Sequence, residues 1–292
     1  MPISTGISKL DDIFSGGFKA PDLIILGARP SAGKTQLSIH FAKSAAKCDK
    51  SVLFVSIEMT AVQLVNRMLL EDDRIYQRNL ERGQMTDEEW QALDEQAGKI
   101  WNLKIQIADD SQIKYLANIK SEARKMKRLG KLDMIIIDYL QLIRTNLTFG
   151  TRDIEIGYIT GELKSLAKEL SVPIVLLAQL SRPVKGTVPK EPKMDDLRES
   201  GNIEQDADKI ILIHRPSYYD IEAKDDSGLP WTGRGKLIVD KNREGERNVF
   251  VIFNHDKNFK KVWGDEYTPP IPSPTPLEPI PANTNFSNEM PF

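Results

Sequence analysis

A loop of nine residues, from Gly27 to Thr35, constrains the fold of this chain more than any other feature. It reads Gly-Ala-Arg-Pro-Ser-Ala-Gly-Lys-Thr, follows an apolar run at 23–26 and precedes a segment with helical spacing at 36–47. This order of strand, tight loop and helix is the context of a phosphate-binding P-loop, in which successive N–H groups at a helix N-terminus surround a phosphate. The sequence therefore predicts an α/β fold that binds a nucleoside triphosphate.

Different residues of this loop are expected to contact the phosphates and the metal ion. Lys34 supplies a point charge to the phosphates, and the hydroxyl of Thr35 can coordinate Mg²⁺. The P-loop pattern asks for glycine at position 28, where this chain has Ala28. A turn rich in glycine and serine that binds nothing is the alternative. The predicted nucleotide contacts are Ala28, Arg29, Pro30, Ser31, Ala32, Gly33, Lys34, Thr35 and Gln36.

Charge and cysteine content exclude several classes of protein. The 292 residues carry a formal net charge of −2, so any contact with nucleic acid must come from local loops rather than from the molecule as a whole. A single cysteine, Cys48, rules out an intrachain disulfide and makes a cysteine zinc site implausible. The N-terminus does not resemble a signal peptide, and no apolar run reaches the ~18 residues of a membrane span. We expect a cytoplasmic protein with no membrane contact.

Strand-length apolar runs alternate with helical segments along most of the chain. Runs without polar alternation, as at 134–137 and 174–177, are typical of parallel strands buried on both faces. The pattern predicts a doubly wound α/β domain over 1–265, with the strands after 209 forming an antiparallel edge. Residues 266–292 hold 8 of the 17 prolines, and we expect an extended, disordered tail there.

Two acidic residues follow buried strands. Asp138 ends the run Met134–Ile137, which is the form of a Walker B element that holds Mg²⁺. Glu58 follows the run 52–57, where a carboxylate can activate the water that attacks a γ-phosphate. Alternatively, Glu58 is a first-turn residue that the dipole of the next helix favours.

Other polar residues at strand ends form a second group of candidates. Gln179 can sense the γ-phosphate, or can be a strand-end residue bonded only to backbone. Lys241 and Arg243 point the same way at a strand end and can reach a triphosphate on a neighbouring subunit, as an arginine finger does. An exposed hairpin turn is the alternative for this pair.

The segment 181–208 is rich in charge and begins with a basic loop. Arg182 and Lys185 in that loop, and the N–H groups around Ser200 and Gly201, can hold a phosphate backbone. A solvated surface loop is the alternative.

These elements, in this order, resemble the C-terminal ATPase domain of DnaB-type replicative helicases, in the RecA-like superfamily. That family tolerates alanine at the position of Ala28. The resemblance spans about residues 3–255 and rests on the motifs Ile3–Gly6, Gly16–Phe18, Ala28–Thr35, Ser56–Met59, Ile137–Leu142, Gln179–Arg182 and Leu197–Asp208.

The resemblance implies a role for each matching residue. Lys34 and Thr35 bind ATP and Mg²⁺, Glu58 is the catalytic base, Asp138 is the Walker B carboxylate and Gln179 senses the γ-phosphate. It also places Arg198, Glu199 and Gly201 on a loop that touches single-stranded DNA, and it inserts Lys241 and Arg243 into the next subunit's site.

The resemblance further implies a homohexameric ring that moves 5′ to 3′ on single-stranded DNA and unwinds duplex. The family's N-terminal helical domain is expected to be missing here, which bears on binding of a primase or a helicase loader. A RecA-like ATPase that loads or remodels proteins on DNA without unwinding, and a nucleotide-gated scaffold with little turnover, are the alternatives. The final residues, Asn288–Phe292, resemble the tip of single-stranded-DNA-binding proteins and suggest recruitment of replication proteins by the tail. An inert, disordered tail is the alternative.

Overall fold

The computed structural model describes residues 1–181, 191–197 and 200–264. Within them one nine-stranded sheet has the order β3-β2-β4-β5-β1-β6-β7-β8-β9. Its strands are β1 (Leu23–Ala28), β2 (Val52–Ser56), β3 (Ile105–Ala108), β4 (Met134–Asp138), β5 (Ile174–Gln179), β6 (Lys209–His214), β7 (Arg234–Asn242), β8 (Val249–His255) and β9 (Val262–Gly264). The predicted tail at 266–292 lies outside the described residues.

The sheet is parallel from β3 to β6 and antiparallel from β6 to β9. Every residue of β1, β2 and β4 is buried, whereas buried and partly exposed residues largely alternate along β7. These are the burial patterns of a strand covered on both faces and of one covered on a single face. The predicted fold class, a mostly parallel sheet with antiparallel edge strands, is confirmed.

Helices cover both faces of the sheet. They are α1 (Ser8–Ile13), α2 (Lys34–Lys47), α3 (Ala61–Leu69), α4 (Gln77–Arg82), α5 (Asp87–Trp101), α6 (Leu116–Arg128), α7 (Arg152–Leu170), α8 (Ser200–Asp206) and α9 (Pro216–Tyr219). Helices α1, α2 and α3 pack on one face, and α6 and α7 pack on the other. None of the helices within the described residues is long and apolar enough to span a membrane.

The structure differs from the sequence prediction mainly in its short elements. Helix α8 lies in the segment predicted as loop, although its sequence contains Gly201 and Asn202, which are weak helix formers. It is held in place because Ile203 is fully buried and Asp206 accepts a hydrogen bond from Thr160 of α7. The helix predicted at 111–129 begins only at Leu116, since Tyr115 pairs with Arg144 in a β-bridge.

A largely buried histidine on α2 gives the fold a predicted sensitivity to acid. Burial is the main cause that lowers the pKa of His40 to about 4, and the positive charges of Lys43 and Lys47 contribute to the same shift. The unfolded chain, with a histidine pKa near 6.5, therefore binds more protons than the folded chain between pH 6.5 and pH 4, and stability falls as the pH falls through that window.

We expect His40→Gln to lose less stability than the wild type on acidification, by about 2 to 3 kcal/mol between pH 7 and pH 4. Urea unfolding at a series of pH values measures this difference. Parallel curves for the two proteins would contradict the assignment of the proton to His40.

Candidate nucleotide-binding site

The loop between β1 and α2 has a backbone that requires glycine at its last position. Gly33 is the N-cap of α2 with a φ of 98°, in the left-handed region that favours glycine. A side chain there would also collide with the ring of Phe259. Ala28, by contrast, is a fully buried residue of β1 paired with Gln179 of β5, so it needs none of glycine's conformational freedom. The structure thus explains why alanine fits at position 28.

Lys34, Thr35 and Asp138 form one polar cluster beside this loop. Thr35 Oγ1 donates to Asp138 Oδ2 at 2.7 Å, and Lys34 Nζ lies 3.7 Å from Asp138 Oδ1. Asp138 is 1% exposed, and its Oδ1 atom has no hydrogen-bond partner among the described residues. Burial lowers the pKa of Lys34, and the carboxylates of Asp138 and Glu58 partly offset that effect. A hydroxyl beside a carboxylate oxygen without a hydrogen bond is a donor set that suits Mg²⁺.

Glu58 lines, together with Lys34 and Thr35, the cavity beside the P-loop. It is exposed and follows β2, two residues before Thr60, the N-cap of α3. Glu58 is therefore not in the first turn of α3, and the helix-dipole interpretation does not apply to it. The hydroxyl of Ser56 donates to the carbonyl of Met59 and so holds the bend that carries Glu58.

Gln179 ends β5 with its backbone held by another amide. Gln141 Nε2 donates to the Gln179 carbonyl at 3.2 Å, and the Gln179 N–H donates to Gln141 Oε1 at 3.1 Å. The side chain of Gln179 lines the same cavity as Lys34 and Glu58. Gln141, which was not predicted as a site residue, thus fixes the backbone of Gln179 beside this cavity.

A cavity of about 470 Å³ brings most of the predicted nucleotide residues together. Of the nine predicted contacts only Ala32 does not line it, because its side chain packs in the core. The other lining residues include Glu58, Met59, Arg67, Gln179, Arg215, Asn258 and Phe259.

Five of these lining residues were not predicted as site residues: Met59, Arg67, Arg215, Asn258 and Phe259. The guanidinium of Arg215 lies 4.0 Å from the centre of the Phe259 ring. Arg215 directly follows the buried strand β6, which is the pattern that identified Asp138 and Gln179. Phe259 carries no comparable sequence pattern.

Lys241 and Arg243 lie away from this cavity. Lys241 pairs with Ile210 near the start of β6, whereas the P-loop follows the end of β1, which is parallel to β6. At about 3.3 Å per residue, the two positions are separated along the strands by on the order of 15 Å. Lys241 Nζ donates to the carbonyl of Glu204, and Arg243 Nη1 lies 3.2 Å from Asp208 Oδ1. The pair thus lies near the start of the parallel strands, whereas the P-loop of the same chain lies at their carboxyl ends.

The predicted DNA-binding residues are only partly covered. Arg182, Lys185, Arg198 and Glu199 lie outside the described residues. Ser200 and Gly201 begin helix α8, and the structure describes only their backbone. Their proposed contacts with DNA stay predictions.

The sheet order, the P-loop after β1 and the carboxylate at the end of β4 define a P-loop protein of the RecA-like class. The chain belongs to the family described as the DnaB-like helicase C-terminal domain, whose model matches residues 2–262.

Similar proteins agree with this assignment. The chain is 39% identical over 275 residues to the replicative DNA helicase DnaC of Bacillus subtilis (strain 168), and 37% identical over 275 residues to the replicative DNA helicase DnaB of Geobacillus stearothermophilus. Each alignment covers 92% of this chain and 59% of the relative, so the chain spans little more than half the length of these relatives.

Solved structures are also similar. An ATPase domain matches with a TM-score of 0.81 and 31% identity over 90% of this chain and 91% of its own. A DnaB-like replicative helicase, studied with its interactions with primase, matches with a TM-score of 0.80 and 31% identity over 90% of this chain and 62% of its own.

Proposed function

We propose that this chain is the ATP-dependent motor of a replicative-type DNA helicase, which assembles as a homohexameric ring and moves 5′ to 3′ on single-stranded DNA. The observation that carries the proposal is the convergence of Lys34, Thr35, Glu58 and Gln179 around one cavity with Asp138 beside it. The similarity to replicative DNA helicases supports the choice of DNA as the track.

In this proposal, Lys34 and the loop N–H groups hold the β- and γ-phosphates of ATP. Thr35 and Asp138 hold Mg²⁺, which when bound neutralises negative charge that develops on the phosphates. Glu58 orients the attacking water and accepts its proton, since it faces the cavity on an exposed bend. Gln179 contacts the γ-phosphate and reports its loss.

Arg215 and Phe259 are proposed to contact the base of the nucleotide. The Phe259 ring packs against Gly33, with Arg215 over the ring, and both a guanidinium and an aromatic ring present flat faces on which a purine can stack. Phe259→Ala should weaken binding of ATP while leaving binding of inorganic triphosphate unchanged. An equal loss of affinity for ATP and for inorganic triphosphate would contradict this assignment.

The other proposed partners follow from the helicase function. Residues 181–201, including Arg182, Lys185, Arg198, Glu199, Ser200 and Gly201, contact single-stranded DNA. A primase and a helicase loader are proposed partners. The chain is proposed to act on DNA in the cytoplasm. A RecA-like loader or remodeller that hydrolyses ATP on DNA without unwinding is the second candidate, because the same nucleotide cavity would serve it.

Three measurements on the purified chain test the proposal. ATPase activity is measured with and without single-stranded DNA, strand displacement is measured on a fork with a 5′ tail, and native mass is measured with ATP and DNA. Stimulation by DNA, displacement and a hexamer are expected together. Stimulation without displacement would select the loader, and slow turnover that ignores DNA would overturn both motor proposals.

A further inference from the structure

The side chain of Arg29, the third residue of the P-loop, is buried and incompletely paired. Arg29 is 7% exposed, and its Nε and Nη1 atoms have no hydrogen-bond partner among the described residues. Its Nη2 atom lies 3.8 Å from Asp196 Oδ2, and its Cζ lies 5.8 Å from the centre of the Tyr219 ring. Burying a guanidinium is costly unless a negative charge compensates it. Asp196 supplies that charge, so its position and that of Arg29 are coupled.

Asp196 belongs to a turn that is itself tied to the end of β5. The N–H of Ser181, two residues after Gln179, donates to the Asp196 carbonyl at 2.9 Å. Leu197 forms a β-bridge with Leu180, whose N–H donates to the carbonyl of Ala28 at 2.9 Å. The turn 193–197 therefore contacts both the P-loop and the strand that carries Gln179.

The same turn also reaches the strand that carries Lys241. The N–H of Met194 donates to Asp240 Oδ2 at 2.6 Å. Beyond Leu197 the chain continues directly into the proposed DNA-contacting residues and into α8, whose carbonyl at Glu204 accepts from Lys241. The turn thus connects the nucleotide site, the residues 198–201 that are proposed to contact DNA, and strand β7, which carries Lys241.

We propose that Arg29 is a positioning residue that couples the P-loop to the DNA segment through its ion pair with Asp196. When the P-loop moves on binding or losing a phosphate, the ion pair moves the 193–197 turn with it. The residues that follow the turn then change their contact with single-stranded DNA. This inference rests on the proposed function.

The test is Asp196→Asn, which removes the charge that faces Arg29 but keeps an oxygen that can accept the hydrogen bond from the Lys193 N–H. The matched control is Asp195→Asn, because Asp195 is an exposed neighbour in the same turn. We expect basal ATPase activity to be unchanged in both variants, and DNA stimulation to fall by roughly fivefold or more in Asp196→Asn alone.

A binding measurement separates coupling from a general structural defect. The affinity for single-stranded DNA is measured with and without a non-hydrolysable ATP analogue, and the ratio of the two affinities is the coupling. This ratio should move towards one in Asp196→Asn. It should stay near the wild-type value in Asp195→Asn and in Asp196→Glu, which restores the carboxylate.

The failures are distinguishable. If the wild-type chain shows no response to DNA, the proposed function fails and takes this inference with it. If the wild type responds and Asp196→Asn has the same ratio as Asp195→Asn, the inference alone fails. Should Asp196→Asn not fold, Arg29→Gln, which removes the other charge of the ion pair, is measured by the same ratio, and an unchanged ratio there overturns the inference.

Discussion

Replacement of Glu58 by glutamine should lower the rate of ATP hydrolysis by about 10²- to 10⁴-fold while ATP still binds, since general-base catalysis contributes on that order. Glutamine keeps the size and polarity of the side chain but cannot accept the proton of the attacking water. Because Glu58 is exposed on a bend outside α3, the substitution removes no helix-dipole interaction and should leave stability unchanged. Single-turnover hydrolysis and equilibrium binding of a labelled nucleotide separate the two effects.

The control for this substitution is Glu88→Gln. Glu88 is an exposed carboxylate in the first turn of α5, and so it has the structural role that Glu58 was alternatively assigned. We expect its substitution to leave hydrolysis unchanged and to cost at most about 1 kcal/mol of stability. Hydrolysis by Glu58→Gln within about threefold of the wild type would exclude the base role, because general-base catalysis is worth far more.

The parts of the site that are local in sequence could be predicted from it. A strand followed by a loop and a helix, and an acid at the end of a buried strand, are recognisable because neighbouring residues determine them. Ala28 departs from the loop pattern, yet the structure shows it as an ordinary buried strand residue. The loop's conformational demand falls on Gly33 instead, and there the sequence does have glycine.

The parts that depend on long-range packing could not be predicted. Phe259 reaches Gly33 from the connection between β8 and β9, and no local pattern marks an aromatic residue as the cover of a distant loop. Helix α8 has weak intrinsic propensity and depends on contacts with α7. The two hydrogen bonds between Gln141 and the backbone of Gln179 likewise join the turn after β4 to the end of β5, which only the sheet order brings together.

The placement of Lys241 and Arg243 leads to a prediction about two subunits. The pair lies near the start of the parallel strands, and the P-loop of its own chain lies at their carboxyl ends. The pair can therefore act on a triphosphate only if that triphosphate is held by another copy. Loss of an arginine finger typically costs about 10³-fold or more in turnover. We therefore expect Lys34→Ala and Arg243→Ala each to be nearly inactive as pure proteins.

A mixture of these two inactive variants should regain activity. Where an Arg243→Ala chain provides the P-loop and a Lys34→Ala chain provides the finger, the site between them has both cations intact. In rings assembled at random from equal amounts, about one interface in four has this composition. The measurement is ATPase activity against the ratio of the two variants, which should be greatest near equal amounts and absent at either end.

Arg247→Ala is the matched control for the finger. Arg247 is an exposed arginine in the same β7–β8 connection, so its loss removes the same charge from the same hairpin. We expect this variant to be active by itself, and an equal mixture of it with Lys34→Ala to show no more activity than its own dilution allows. Activity of Arg243→Ala alone would exclude the finger role of Arg243. A mixture with Lys34→Ala that stays inactive, although native mass shows mixed rings, would mean that Arg243 acts on the triphosphate site of its own chain. The geometry argues against action of Arg243 on its own chain's site. The ion pair with Asp208 holds the Arg243 side chain near the start of the parallel strands, away from the P-loop.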